Sequence, residues 1–269
     1  MVVAGRSDVG CVRTLNEDNF CVDAGIGLLV VADGMGGHDA GEVASEQVIR
    51  IVQESLSKPV REPEDSPREV SPAQAAPGVT LDQDETPTLD DQRNPVIGLV
   101  YRAIHRANAE IHTTNWEKGY PEGAGMGSTV VGLWFPEFSE QAIVFHVGDS
   151  RLYLYSRNRL LQVTLDHSMY QQWLSYGGRG VAPSQNILMQ AIGPALHVTP
   201  DIHFQDVEAG DVVMLCSDGL SGMVAESEIG RLLSMATEDN LDEISGALVE
   251  AAKEAGGKDN ITVIVGRFL

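Results

Sequence analysis

The chain has 269 residues, 43% of them apolar, which is enough to bury a large core in one or two domains. Its formal net charge of −21 disfavours phosphate backbones and anionic bilayers as partners, and favours cations or basic polypeptide segments. No apolar run reaches about 18 residues, and Met1 to Arg6 lacks the basic-then-apolar order of a leader, so neither a membrane span nor a signal peptide is expected.

Residues 1 to 25 read as two strands around a turn that carries Arg13 to Asn19. The β-branched run Ile26 to Val31 predicts a buried strand ending at Asp33 and the glycines Gly34, Gly36 and Gly37. From Asp39, a candidate N-cap, a helix is predicted to about Leu56, with Val43, Val48, Val52 and Leu56 on one face. Residues 57–94 differ in kind: six of the twelve prolines, no aromatic residue, and nine acids against four bases. Such a segment buries too little apolar surface to offset its ordering entropy, so a disordered insertion is expected within a single domain.

Pro95 suits the first turn of a second helix, along which Ile97, Val100, Ile104, Ala107 and Ile111 keep helical spacing. Gly125 to Thr129 opens a strand to Phe135, and Gln141 to Val147 and Arg151 to Tyr155 follow as strands separated by Gly148-Asp149-Ser150. A turn at Arg157-Asn158 leads into Leu160 to Val163, then a short helix spans Ser168 to Tyr176 and a loop spans Gly177 to Ser184. Later strands are predicted at Asp201 to Val207, Val212 to Cys216 and Ile261 to Phe268, with helices near Glu226 to Ala236 and Leu241 to Ala255. Clustered strands with two pairs of helices indicate an α+β fold with antiparallel sheets.

Four aspartates recur in one context. Asp33 and Asp218 follow apolar strands and precede glycine, Asp149 lies between two strands, and Asp259 immediately precedes one. Each alone also fits a turn or a helix cap. Together they fit a shared divalent-metal site, with Asp33 as bridging ligand and a carbonyl from the glycine turn. Without Cys or His at suitable spacing, magnesium or manganese is favoured over zinc. Two such ions sharpen a water between them into a nucleophile, which suits in-line displacement at phosphorus.

The motifs Gly10 through Arg13 to Asn16-Glu17-Asp18, Asp33 to His38 with Gly41-Glu42-Val43-Ala44, Gly125 to Thr129, Val147 to Arg151, Asp166-His167-Ser168, Ser217 to Leu220 and Asp259 to Val263 run in one order along the chain. In this the chain resembles the bacterial type-2C metal-dependent Ser/Thr protein phosphatases (the PPM family). The resemblance implies a central sandwich of two antiparallel β-sheets flanked by helix pairs, a four-layer αββα arrangement. It implies hydrolysis of phosphoserine and phosphothreonine by a metal-activated water, with Mn2+ or Mg2+ as cofactor: two core ions and a third, weaker one.

By the same resemblance, Asp33 bridges the metals, Gly34 offers its carbonyl to one, and Asp218 and Asp259 hold the other. Asp18 supports the cluster through water, and Asp149 with Asp218 takes the third ion. Arg13 holds the substrate phosphate through its planar fork of donors, the competing reading being a surface pair with Glu17 or Asp18. His38 is a candidate general acid for the departing serine oxygen, the competing reading being a loop residue. His167 is expected to stabilise a turn. The segment Ser168 to Ile192 corresponds to a flap beside the site, where Gln185 precedes Asn186 in place of the arginine common in relatives. Phosphorylated proteins are the implied partners, among them a Ser/Thr kinase, for a monomeric protein.

Other chemistries meet obstacles. A thiolate phosphatase needs an arginine six residues after its cysteine, but Cys11, Cys21 and Cys216 are followed there by Glu17, Gly27 and Gly222. Three cysteines without metal-type spacing suggest reduced thiols and a cytoplasmic setting. No Asp-x-Asp pair of an aspartyl-phosphate enzyme and no Walker-type loop is evident. The remaining rival is a non-catalytic phosphoprotein-binding module of the same fold.

Overall fold

Period-two alternation along the strands decides both the layers and where the polar residues fall. The structure, a computed structural model, describes residues 1–36, 40–57, 94–137 and 139–269. Its strands are β1 (Val2–Asp8), β2 (Asp18–Asp23), β3 (Leu28–Met35), β4 (Gly127–Ser128), β5 (Val130–Trp134), β6 (Ala142–Val147), β7 (Arg151–Ser156), β8 (Arg159–Gln162), β9 (Asp201–Gln205), β10 (Val212–Cys216) and β11 (Ile261–Arg267). One sheet has the order β1-β11-β10-β7-β8; the other runs β2-β3-β5-β6-β9, with β4 also pairing to β3. Neighbouring strands pair antiparallel throughout both sheets.

Successive side chains of a strand point to opposite faces. Leu29 and Val31 of β3, Val131 and Leu133 of β5, Val144 of β6, Leu152 of β7, Val213 and Leu215 of β10 and Ile264 of β11 meet between the sheets. The alternate set Leu28, Val30, Val130 and Phe145 faces helices α1 (Gly41–Leu56) and α2 (Pro95–Glu117). On the other side Met214, Cys216, Ile261, Val263 and Val265 face α5 (Glu226–Leu233) and α6 (Leu241–Glu254). This is the expected four-layer sandwich. Each buried Val or Leu contributes roughly 1.5–3 kcal/mol. A one-residue slip would turn a whole face outward, so the register is fixed by packing.

Local chemistry accounts for most boundaries. Asn94 caps α2 through a bond from Val96 N–H, with Pro95 following it. Arg157 and Asn158 both have positive φ (51° and 61°), the two-residue turn that matches strand twist between β7 and β8. Ser168 caps the short helix α3 (Met169–Ser175), and Asp218 opens the single turn α4 (Asp218–Ser221).

Three expectations need correction. The strand expected to stop at Val31 continues as β3 to Met35, so Asp33 and Gly34 lie within it. The strand expected from Gly125 to Phe135 is broken at Thr129, whose N–H donates to the Asp33 carbonyl while its Oγ1 accepts from Asp33 N–H. Helix α1 begins at Gly41 after Ala40, which has φ 75° and makes no side-chain cap bond; the cap candidate Asp39 lies outside the described residues. So does 58–93, the bulk of the expected insertion.

Candidate metal centre

The alternation that buries Val31 between the sheets carries Asp33, two residues on, to the rim of the same layer. Asp18 of β2 stands directly opposite Asp33 in register and continues the face that Phe20 presents to the inter-sheet core. Ser217 and Thr262 extend the inner faces of β10 and β11 in the same way. Ser217 Oγ donates to Asp18 Oδ2 at 2.7 Å and accepts from Thr262 N–H at 3.0 Å, tying the two sheets together beneath the site. Asp218 follows on the first residue of α4, and Asp259 stands two residues before β11.

Asp149 arrives differently, on the connection that crosses from β6 in one sheet to β7 in the other. Gly148 makes this corner with φ 109°, a conformation that L side chains rarely adopt. Ser150 Oγ lies 2.7 Å from Thr129 Oγ1, and Arg151 pairs with Asp166 through both Nε and Nη2 (2.9 Å and 2.7 Å).

These residues surround a cleft of about 580 Å³, lined by Arg13, Glu17, Asp33, Gly34, Asp149, Asn186, Asp218 and Asp259. Asp18 is buried below it. Asp149, Asn186 and Asp218 also line an adjoining cavity of about 240 Å³ on the flap side, together with Gln185. Arg13 donates to Asp259 at 2.7 Å, so its partner is neither Glu17 nor Asp18, the pairings considered from sequence. That bond raises its pKa further and holds the guanidinium at the mouth of the cleft. Thus Arg13, Asp18, Asp33, Gly34, Asp149, Asp218 and Asp259 come together; His38 lies outside the described residues.

So many carboxyls in one place are costly on their own. Burial pushes Asp33 well above the ordinary carboxyl range, and the charges of Asp18, Asp218, Asp149 and Asp259 push it further. Burial raises Asp18 to about 7, against the pull of the Ser217 and Thr262 hydroxyls. Asp149 is also raised to about 7, by burial and then by Asp218 and Asp166. Asp218 is raised by burial and Asp259, partly relieved by its hydrogen-bond contact with Asp33. A bound cation inverts each of these effects.

Among the described residues two buried oxygens of the site lack a partner, Asp18 Oδ1 and Glu17 Oε1, in a protein interior where such atoms are rarely left unpaired. The donor set is all oxygen, which suits hard divalent ions such as Mg2+ or Mn2+. Glu17 was not singled out as a site residue from sequence. Its burial depends on α1 closing over it, and the clue was Gly41, where a Cβ would stand 2.7 Å from Glu17 Oε1.

A sandwich of antiparallel sheets with a carboxylate centre at one rim and an arginine at its mouth defines a metal-dependent phosphoryl-transfer class of protein. The protein phosphatase 2C family matches residues 12–262. The serine/threonine phosphatase stp of Listeria monocytogenes serotype 4b is 31% identical over 268 residues, covering 97% of this chain and 93% of that one. Among solved structures, the Mycobacterium tuberculosis serine/threonine phosphatase PstP/Ppp aligns with a TM-score of 0.78 and 29% identity, over 100% of this chain and 99% of that one. A PstP catalytic domain in complex with two manganese ions aligns with a TM-score of 0.74 and 31% identity, over 98% and 96% of the two chains. The chain belongs to the protein phosphatase 2C family.

Proposed function

We propose that the chain is a metal-dependent protein phosphatase that hydrolyses phosphoserine and phosphothreonine, with Mn2+ or Mg2+ as its cofactor. The observation that carries the reading is the meeting of Asp18, Asp33, Asp149, Asp218 and Asp259 around one cleft with Arg13 at its mouth. When bound, the divalent pair supplies Lewis acidity, activating a water and neutralising charge on the phosphate.

Every other task falls to the chain. Asp33, the Gly34 carbonyl, Asp218 and Asp259, which line the cleft together, would hold the two core ions. Asp18, buried below, would support the cluster, and Asp149 with Asp218 would hold a third, weaker ion. Arg13, held by Asp259, offers its remaining guanidinium donors to two phosphate oxygens and turns the phosphoryl group for in-line attack. His38, outside the described residues, is the candidate general acid for the departing serine oxygen.

The protein acts as one catalytic domain interrupted at 57–94, as a monomer. It works in the cytoplasm opposite a Ser/Thr kinase, whose own phosphosites are among its substrates. Three unpaired cysteines support an intracellular setting, and no helix of the described residues is long and apolar enough to cross a membrane. Nothing favours a non-catalytic module, since every carboxylate of the centre is present.

The test is hydrolysis of a phosphothreonine peptide with manganese and with chelator. Wild type turns over only with the metal, and Asp218→Asn loses at least about a hundredfold in kcat while keeping its circular dichroism spectrum. Undiminished turnover in chelator, or by Asp218→Asn, overturns the assignment.

A further inference from the structure

Behind Asp149 lies a cluster that the proposed catalytic scheme does not use: His146 of β6, His167 and Asp201 of β9. His146 and His167 stack with centroids 4.5 Å apart, and His167 Nε2 lies 3.3 Å from Asp201 Oδ2. Their ligand atoms are close enough together to suggest a second metal site. The hydrogen-bond partners argue otherwise. Gly148 N–H donates to His167 Nδ1 at 3.3 Å, so that nitrogen is bare and the neutral ring carries its hydrogen on Nε2, facing Asp201. His146 Nε2 lies 2.9 Å from the Leu165 carbonyl, which only accepts, so it too carries a hydrogen. The two nitrogens turned toward Asp201 therefore have no lone pair for a cation.

What the cluster does hold is the corner. Gly148 N–H bonds His167 Nδ1, and the Gly148 carbonyl accepts from His167 N–H at 2.9 Å, so one residue grips both sides of the residue that precedes Asp149. The far end is held by the Arg151–Asp166 pair. The carbonyl of His167 accepts from Met189 N–H at 2.8 Å, so the same residue also anchors the flap.

We propose that His167 is a positioning residue for Asp149. Oriented by Asp201, it fixes the Gly148 peptide, and thereby the carboxylate that with Asp218 takes the third divalent ion. This rests on the assignment of that ion to Asp149 and Asp218, made above. His167 lines neither the cleft nor the adjoining cavity.

The experiment is calorimetric titration of the full chain with MnCl2, alongside thermal melts. Wild type shows a weak binding event beyond the two core ions, and Asp149→Asn removes it. His167→Ala weakens that event by about tenfold or more, the usual effect of removing a group that orients a ligand, and leaves the tighter events unchanged. His167→Asn restores it, because the carboxamide oxygen occupies the place of Nδ1 and accepts from Gly148 N–H. Asp201→Ala, on a half-exposed side chain, removes the acceptor that orients His167 and weakens the event in the same direction.

An unchanged weak event in His167→Ala overturns the proposal. So does equal loss of the event and of the melting temperature in His167→Ala and His167→Asn, which would mean a merely structural role. Absence of the weak event from wild type removes the third-ion assignment and this proposal with it, while leaving the phosphatase reading intact.

Discussion

Asp18 sits beneath the cleft with one carboxylate oxygen bonded to Ser217 and the other bare. Its folded pKa of about 7, like that of Asp149, lies above the ordinary value of 3.8. Between those values the folded state binds more protons than the unfolded one, so stability falls as pH rises. Each group's contribution, on the order of a few kcal/mol, is full below the unfolded value and is lost as pH passes through the folded one. In chelator, the melting temperature should therefore drop steadily from pH 5 to pH 8, and saturating Mn2+ should flatten the slope by favouring the ionised carboxylates. Differential scanning calorimetry checks this, and a flat profile in chelator would contradict it. Asp18→Asn keeps an acceptor for Ser217 Oγ but removes a charge facing Asp33 and Asp218. The variant should melt higher than wild type at pH 8 without metal, yet gain less from Mn2+.

Helix α1 closes the site from above, and Gly41 sets how closely. A Cβ there would lie 2.7 Å from Glu17 Oε1 and 2.9 Å from the Gly34 carbonyl carbon, while a Cβ on Gly34 would run into the Gly41 carbonyl oxygen. Gly41→Ala should force the helix start off β3, costing about 1–3 kcal/mol in urea unfolding, and weaken manganese binding through Gly34. A variant as stable as wild type would show that the helix start yields freely. This contact explains a limit of sequence reading. Gly34 and Gly36 after Val31 read as a turn, but Gly34 serves close approach of α1 to a strand that continues to Met35. The apolar elements were legible because their faces alternate at period 2 or 3.6, and Asp218 and Asp259 because their strands border them. Arg13's partner was not, since Asp259 lies 246 positions away and only the folded sheets bring them together. Glu17 and the His146–His167–Asp201 cluster escaped for the same reason: their burial is a property of packed layers, not of any local pattern.

At the scale of the whole molecule, 39 acids against 18 bases give a chain whose field extends well beyond the centre. Bound cations would neutralise the carboxylates of the centre locally, but the remaining negative surface faces any approaching phosphoprotein. A field of this sign raises the encounter rate of positively charged segments and lowers that of negative ones, and salt screens it over a Debye length of roughly 8 Å at physiological strength. The phosphate itself is anionic, so on the proposed assignment its capture falls to the ions and Arg13, and the flanking residues decide how readily it arrives. With saturating Mn2+ and low salt, kcat/KM for a phosphothreonine peptide flanked by lysines should exceed that for one flanked by glutamates by about tenfold or more. The difference should shrink several-fold in 0.5 M NaCl, with kcat nearly equal for the two, because steering acts on encounter and not on the bound complex. If the preference persists undiminished in high salt, selection comes from short-range contacts in the flap around Asn186 and Ile187 and not from the overall charge.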